Sequence, residues 1–216
     1  MAKKFVPAWY QERTPEGTYR SLFKWGAMDD LKHPNSGLVQ LLMDKFGLTR
    51  EQLSKPGQLS LDKVEDSIPS NLAEQHLQFL KDTCDPVNVY TDTYTRIGCS
   101  YGAGMLDALR LRRKIVENLP EVVVAPRTQE EIEKIVSYAH EHHIPVYVFG
   151  AGSTVTRGME ATRSGSIALD MSRHMKRVVE FNETDQTITV EAGIHGPALE
   201  EALQNAEKRF GAKRAY

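Results

Sequence analysis

The sequence is poor in cysteine and has no long apolar run. Cys84 and Cys99 are the only cysteines among its 216 residues. They offer neither the spacing of a zinc site nor a disulfide framework, so we expect two reduced thiols. No apolar run approaches the roughly 20 residues that span a bilayer, and the N-terminal residues lead into polar sequence instead of a signal-peptide core. We therefore expect a cytoplasmic protein without a transmembrane segment.

An excess of positive charge is also missing. The 27 Lys and Arg residues are balanced by 29 Asp and Glu residues, which gives a formal net charge of -2. A dedicated nucleic-acid-binding protein normally presents a basic face, and no such face is visible here. The 40% of hydrophobic residues is that of an ordinary folded protein with a core. We expect a small-molecule substrate and no nucleic-acid partner.

The character of the sequence changes near residue 119. Before it, apolar residues at three- and four-residue spacing predict helices over residues 36–47, 72–80 and 105–116. Residues 48–70 contain prolines and glycine and predict a connection with short structure at most. After it, strand and helix patterns alternate. The pattern predicts an α+β protein with a mainly helical N-terminal segment over residues 1–118 and a second domain over residues 119–216.

The second domain is predicted to contain a mixed sheet. Apolar runs predict strands over residues 121–126, 145–149 and 166–170, and alternating runs predict a β-hairpin of residues 177–181 and 187–191. Thr128 and Glu131 form a capping-box pattern that begins a helix over residues 129–141. A last helix follows over residues 196–205. Since no strand comes after it, we expect the chain to be the N-terminal fragment of a longer module.

The stretch GAGSTV, Gly150 to Val155, directly follows a predicted strand. Glycines allow backbone N–H groups to approach a phosphate closely, and Ser and Thr add hydroxyl donors. Neither common phosphate motif fits: a Walker A loop needs Gly-Lys-Ser/Thr, and Val155 stands where a Rossmann loop has its third glycine. A tight turn between two strands is therefore the alternative that these residues leave open.

The ordered segments VVVAPRTQEEIEKIVSYAHEHHIPVYVFGAGSTVTRGM, IALDMSRHMKRVVEFN and TITVEAGIHGPALEEAL carry a resemblance. Together they resemble the first FAD-binding subdomain of the vanillyl-alcohol-oxidase superfamily of FAD-linked oxidases. Within it, FKWGAMDD and RIGCSYGAGMLDALRLRRKIVENLPEVVVAP are similar to segments of alkyldihydroxyacetonephosphate synthase-like proteins. The resemblance implies a PCMH-type FAD-binding subdomain, a mixed sheet with flanking helices, after the helical N-terminal segment.

The resemblance also implies a site for FAD. The family's pyrophosphate loop, Gly-Gly-Gly-Thr-Ser, reads Gly-Ala-Gly-Ser-Thr here, with Ala151 in place of the middle glycine, and its Asp-x-Ser segment begins at Asp170. A strand-end cap is the alternative role for that aspartate. Several members bind FAD covalently through a loop histidine, which is absent here, so we expect non-covalent FAD. The implied cofactor-binding residues are Phe149, Gly150, Ala151, Gly152, Ser153, Thr154, Val155, Gly158, Asp170, Met171 and Ser172.

The activity that the resemblance implies is that of an FAD-dependent oxidoreductase or an alkylglycerone-phosphate synthase-like flavoenzyme, of which this chain is the part that binds the FAD pyrophosphate. An FAD-dependent 2-hydroxy-acid dehydrogenase or oxidase is one alternative. A truncated, non-catalytic fragment with weak nucleotide or partner binding is another. We expect catalytic residues beyond Tyr216, no activity of this chain alone, and a homodimer as a candidate assembly.

Three further features have structural interpretations. His140, His142 and His143 would permit a metal pair, but no carboxylate or cysteine completes a ligand set, so we interpret them as a solvated helix end. The basic run from Arg110 to Lys114 could approach a phosphate of a cofactor or substrate, with a solvated helical face as the alternative. The resemblance favours a structural role near the flavin domain. Trp25 is expected to anchor the N-terminal segment by burial.

Overall fold

The computed structural model describes residues 13–22, 26, 35–55, 61–65 and 68–216. They divide into two compact units, one drawn from Met1–Glu65 and Met105–Val116 and the other from Asp66–Gly104 and Glu117–Tyr216. The division into domains at residue 118 stays a prediction. Trp25, together with the expectation attached to it, lies outside the described residues.

The described helices and strands follow in chain order. The helices are α1 (Tyr19–Leu22), α2 (Ser36–Phe46), α3 (Arg50–Ser54), α4 (Glu74–Cys84), α5 (Thr93–Gly98), α6 (Met105–Arg112), α7 (Gln129–Glu141), α8 (Gly196–Gln204) and α9 (Ala206–Phe210). The strands are β1 (Val89–Tyr90), β2 (Val122–Val124), β3 (Val146–Phe149), β4 (Ile167–Asp170), β5 (Val178–Asn182) and β6 (Thr187–Val190).

Two helices of the first unit have ends that local hydrogen bonding explains. Helix α2 begins after Asn35, whose side chain accepts a hydrogen bond from the Leu38 N–H at 2.8 Å, so Asn35 and not Ser36 is the N-cap. Helix α6 is shorter than predicted because Lys114 adopts a left-handed conformation, with φ of 55°. The Ile115 N–H then donates to the Arg110 carbonyl at 2.9 Å, and the Lys114 N–H to the Leu111 carbonyl at 3.0 Å. This is a Schellman ending, which stops the helix before residue 116.

The second unit is built on a four-stranded sheet in the order β1-β2-β4-β3. Strands β2, β4 and β3 are parallel, and β1 is antiparallel to β2. The predicted mixed sheet is thereby confirmed, but the antiparallel strand is β1, in a segment predicted to be helical. The predicted hairpin of β5 and β6 is confirmed as a separate two-stranded antiparallel sheet.

The main core lies between one face of the four-stranded sheet and the helices α4 and α7. Every residue of β2 and β4 is buried, as expected for parallel strands covered on both faces. The buried residues of this core are Leu80, Cys84, Val122, Val124, Ile135, Ala139, Ile167, Leu169, Met171 and Met175. On the opposite face, Val123 and Ala168 pack with Cys99.

The start of helix α7 shows a shifted version of the predicted capping box. The Thr128 hydroxyl accepts from the Glu131 N–H at 3.2 Å. The Glu131 carboxylate accepts from the Arg127 N–H at 2.7 Å, one residue earlier than in a standard box. The helix spans residues 129–141, as predicted.

A buried arginine connects the segments that precede β2. Arg96 is 1% exposed and donates to the carbonyls of Pro120, at 2.6 Å, and Ile68, at 2.7 Å. Its guanidinium also lies 3.5 Å from the Glu121 carboxylate, which accepts from the Asn71 N–H at 2.7 Å. Burial lowers the pKa of Arg96, an effect that the Glu121 charge opposes. Each buried polar group in this network therefore has a partner.

The sequence predicted reduced cysteines and no membrane-spanning segment. Both cysteines are free and buried, and burial raises the pKa of the Cys84 thiol to about 12 and that of Cys99 further. Among the described residues, no helix has both the length and the apolar character that crossing a membrane requires.

Candidate functional site

The carboxyl ends of β3 and β4 bring the two parts of the predicted site together. Phe149 pairs with Asp170 in the parallel ladder, and the Met171 N–H donates to the Phe149 carbonyl at 2.9 Å. The glycine loop leaves the sheet directly after Phe149, and the Asp-x-Ser turn begins at Asp170. Open sheets bind ligands at the carboxyl ends of parallel strands, so both segments lie at the edge where a ligand is expected.

The backbone of the glycine loop shows which glycine its shape requires. Gly152 has φ of 63°, in the left-handed region that side chains rarely adopt. A Cβ on Gly152 would also lie 2.8 Å from the Phe149 ring. Ala151 is not among the described residues with positive φ, so the alanine that replaces the family's middle glycine fits here without strain.

The glycine loop presents a run of backbone donors. Within the part of the chain that the structure describes, the N–H groups of residues 151–155 donate to no protein acceptor. The Thr154 carbonyl accepts from the Ala103 N–H at 2.8 Å, and the Thr154 hydroxyl lies 3.2 Å from that of Thr156. The loop is thus held from one side while its donors stay available. Consecutive N–H groups of this kind form a binding site for an anion.

An open cavity of about 780 Å³ involves the segment that follows the glycine loop. It is lined by Glu117, Asn118, Arg157, Glu160, Ala161 and Thr162. Arg157 donates to Glu160 at 2.6 Å, and Gly158 is exposed. The described lining residues lie outside residues 150–155.

Asp170 shapes the turn after β4. The residue is 3% exposed, and one carboxylate oxygen accepts from the Ser172 N–H at 2.9 Å and from the Ser172 hydroxyl at 2.6 Å. The other oxygen accepts from Arg173 Nε at 2.9 Å. This is the strand-end cap that the sequence left open as an alternative. Met171 is buried in the core, so contact of Asp170, Met171 and Ser172 with a cofactor stays a prediction.

A third segment, residues 191–193, contacts the glycine loop and the Asp170 turn, and sequence reasoning missed it. The Gly193 N–H donates to the Met175 carbonyl at 2.8 Å. A Cβ on Gly193 would lie 2.7 Å from that oxygen and would also overlap the Met171 carbonyl group. The neighbouring Ala192 carbonyl lies 3.1 Å from the position of a Cβ on Gly150. The sequence signal was a glycine three residues after the end of a strand, which is common in turns.

The start of this third segment is fixed by an ion pair. Arg177 donates to Glu191 through its N–H at 2.7 Å and through Nε at 2.8 Å. The hydrogen bond from Arg177 lowers the pKa of Glu191. The turn after β6 is thereby tied to the residue before β5.

Arg173 is a second residue that sequence reasoning missed. Its guanidinium carbon lies 4.2 Å from the centroid of the Tyr90 ring, within the range of a cation–π interaction. Burial opposes the charge of Arg173, but the hydrogen bond to Asp170 and the charges around it raise its pKa above the ordinary value. A permanent positive charge therefore stands at the end of β4.

Two other polar clusters were identified from the sequence. His140, His142 and His143 are exposed, and the His142 ring packs 4.2 Å from Tyr138 and 5.1 Å from His76, between centroids. The described residues contain no group of three or more potential metal ligands from His, Cys, Asp and Glu. In the basic run, Lys114 makes an ion pair with Asp62 at 3.2 Å.

Comparison with known proteins agrees with this geometry. Residues 120–215 match the family model of an FAD binding domain. The chain is 27% identical to alkyldihydroxyacetonephosphate synthase from Dictyostelium discoideum over 178 residues, which cover 76% of this chain and 29% of the relative. It is 27% identical to mitochondrial D-lactate dehydrogenase [cytochrome] 1 from Saccharomyces cerevisiae over 154 residues, which cover 71% of this chain and 24% of the relative.

The same likeness holds in three dimensions. A solved alkyldihydroxyacetonephosphate synthase superposes with a TM-score of 0.58 at 27% identity, covering 63% of this chain and 26% of that one. The chain thus spans less than a third of the length of these relatives. The predicted α+β fold class is confirmed by the mixed sheet and its flanking helices. Residues 120–215 thus match an FAD binding domain, and the chain is similar to alkyldihydroxyacetonephosphate synthases in sequence and in fold.

Proposed function

We propose that the loop over residues 150–155 holds the pyrophosphate of FAD. The single observation that carries this proposal is the run of backbone N–H groups over residues 151–155, which have no protein acceptor among the described residues. The loop lies at the carboxyl end of β3, where open sheets bind nucleotides. A pyrophosphate needs several donors at close range, and backbone N–H groups supply them without bulky side chains.

The residues of the loop have separate roles in this proposal. Gly152 permits the left-handed backbone of the loop, and Ala151 contributes its N–H. Ser153 and Thr154 add hydroxyl groups, and the Phe149 ring packs beside Gly152. Asp170 acts indirectly, because its carboxylate is already occupied by Ser172 and Arg173. FAD, when bound, would supply the redox or electrophilic chemistry of the reaction.

The cofactor is proposed to be bound without a covalent bond. Residues 150–158 read GAGSTVTRG and contain no histidine, cysteine or tyrosine through which a flavin could be attached. Acid precipitation of the FAD-loaded protein should release all of the flavin into the supernatant. Yellow colour that stays with the precipitate would contradict non-covalent binding.

The pyrophosphate role is tested by Gly152→Val with Gly165→Val as a matched control. Both glycines have positive φ, 63° and 74°, and both belong to the connection between β3 and β4. A Cβ added at Gly165, however, would meet no atom within 4 Å. Quenching of flavin fluorescence measures FAD affinity. We expect Gly152→Val to weaken it at least about tenfold, the equivalent of one charged hydrogen bond, and Gly165→Val to leave it unchanged. Equal losses in both variants would place the pyrophosphate elsewhere.

The whole protein's reaction is proposed to be that of an alkylglycerone-phosphate synthase-like flavoenzyme. The likeness to this synthase extends over 178 residues and includes a solved structure. Comparable identity to a D-lactate dehydrogenase supports an FAD-dependent 2-hydroxy-acid dehydrogenase as the second candidate. Small-molecule substrates follow from either reaction, while the homodimer and the cytoplasmic location stay predictions.

The two reactions are distinguished by mixing the FAD-loaded whole protein with D-lactate under anaerobic conditions and following the visible absorption of the flavin. A dehydrogenase reduces its flavin, so the visible flavin absorption disappears. A synthase exchanges an acyl group for an alkoxy group without net redox change, so the absorption stays while fatty acid is released from the acylated substrate. FAD binding without either signal would leave the third alternative, a fragment that binds nucleotide and has no activity.

A further inference from the structure

The turn after β4 holds an arginine in one fixed position. Arg173 donates from Nε to the buried Asp170 carboxylate at 2.9 Å, and its guanidinium stacks 4.2 Å above the Tyr90 ring. Asp170 is in turn fixed by two hydrogen bonds from Ser172. A long side chain normally loses much entropy when it binds a ligand, and an arginine that is already held in place loses less.

Arg173 also has hydrogen-bond donors that the described residues do not use. Within the described residues, its Nη1 and Nη2 groups donate no hydrogen bond to the protein, and the side chain is 41% exposed. Arg177 differs in this respect, because its Nε and Nη2 both contact Glu191, at 2.8 and 2.7 Å. Arg173 is therefore anchored at one end of its guanidinium and open at the other.

Arg173 is ion-paired through Nε with the Asp170 carboxylate. That carboxylate also accepts two hydrogen bonds from Ser172. His174, the next residue, forms a hydrogen bond with the Asn88 amide oxygen at 2.9 Å. On the ring side the neighbour is Tyr90, whose face favours a cation.

The geometry points to Arg173 as an anion-binding residue, whose Nη groups receive a phosphate or carboxylate at the carboxyl edge of the sheet. Two parallel N–H groups match the oxygens of such an anion, which makes a guanidinium more selective than an ammonium group. The identity of this anion rests on the proposed function. The anion is either a phosphate of the cofactor or the anionic group of the substrate.

The test compares Arg173→Gln, Arg173→Lys and Arg214→Gln in the complete 216-residue chain. Arg214 also lies over a tyrosine ring, 5.1 Å from the Tyr216 centroid, but it belongs to no segment of the candidate site, so Arg214→Gln controls for the loss of one arginine charge. Inorganic pyrophosphate, FAD and riboflavin are titrated into each protein by calorimetry, and inorganic phosphate is titrated into the FAD-loaded protein. Thermal melting shows whether each variant is folded. If Arg173→Gln does not fold, the affinities of Arg173→Lys decide the test, because this variant keeps a positive charge beside Asp170.

We expect Arg173→Gln to weaken the binding of one anion at least about tenfold and Arg173→Lys to weaken it severalfold, with no change in Arg214→Gln. Weaker FAD and pyrophosphate binding with unchanged riboflavin binding assigns the cofactor phosphate. Unchanged FAD binding with weaker phosphate binding to the loaded protein assigns the substrate anion. Unchanged affinity for all these anions would overturn the inference. A wild-type chain that does not bind FAD would refute the proposed function alone, since the pyrophosphate titration still tests Arg173.

Discussion

Replacing Gly193 by alanine should disturb the site without touching the glycine loop itself. The added Cβ would lie 2.5 Å from the Met171 carbonyl carbon and 2.7 Å from the Met175 carbonyl oxygen. Both are main-chain atoms of the turn that contains Asp170 and Arg173. A flexible side chain could rotate away from the new methyl group, but the backbone has to move as a whole.

The size of the effect follows from these contacts. Overpacking typically costs about 1–3 kcal/mol, and the clash here is with backbone that also accepts the Gly193 N–H at 2.8 Å. We expect a loss of about 3 kcal/mol in the free energy of unfolding. Gly196→Ala is the matched control, because Gly196 begins helix α8 and has nothing within 4 Å of its Cβ position. That change should be neutral, or stabilising by up to about 1 kcal/mol through helix propensity.

Urea denaturation of both variants measures the difference, and FAD titration of the folded protein shows whether the turn has moved. We expect Gly193→Ala to bind FAD more weakly at concentrations of urea where it is still folded, and Gly196→Ala to behave like the wild type. The reasoning would be refuted if the two alanine variants had the same stability, because the contact between the two turns would then not constrain the backbone.

Three further predictions concern buried or ion-paired groups. Arg96→Met removes the ion partner of the buried Glu121 and should lower the free energy of unfolding by about 3–5 kcal/mol. Arg127→Met, at a half-exposed site, should lower it by less than about 1 kcal/mol. Similar midpoints of urea denaturation for the two variants would argue against a structural role for Arg96. Because the pKa of Glu191 is lowered in the folded state, its contribution to stability is present above the ordinary Glu value of about 4.3 and is lost as the pH falls through the lowered one. Glu191→Gln should therefore destabilise the protein at about pH 7, and its effect should diminish as the pH falls through the lowered pKa of Glu191. A pH-independent difference would be inconsistent with this pairing. With a pKa of about 12, Cys84 should react with a thiol reagent only when the protein unfolds, and rapid labelling under native conditions would contradict its burial.

Much of the second unit was predictable from local patterns. Helix α7 was predicted to the residue, because an amphipathic period and a capping threonine mark its start and its buried face. The apolar runs of β2 and β4 and the alternation of the hairpin identified those strands. Strand β1 was missed, since two residues of strand show no period. The early end of α6 was missed because Lys114 adopts a left-handed conformation that is unusual for a lysine.

The candidate site was predictable only in part. The glycine loop and the Asp170 turn were named as candidate segments because glycine, hydroxyl and carboxyl residues follow strands, and their family pattern has local spacing. Gly193 and Arg173 were missed because their importance comes from contacts with residues distant in the chain. Met175 approaches Gly193 across a turn, and Tyr90 lies more than eighty residues before Arg173.

The sequence by itself indicated most helices and strands of the second unit and the glycine loop as a candidate site, because these features are expressed in local spacing. The tertiary structure alone decided which of these residues meet. Parallel pairing of β3 with β4 placed the glycine loop beside the Asp170 turn, and the close backbone contact at Gly193 fixed that turn. The same packing assigned the Asp170 carboxylate to Ser172 and Arg173, because a buried carboxylate requires hydrogen-bond partners that only the folded chain supplies.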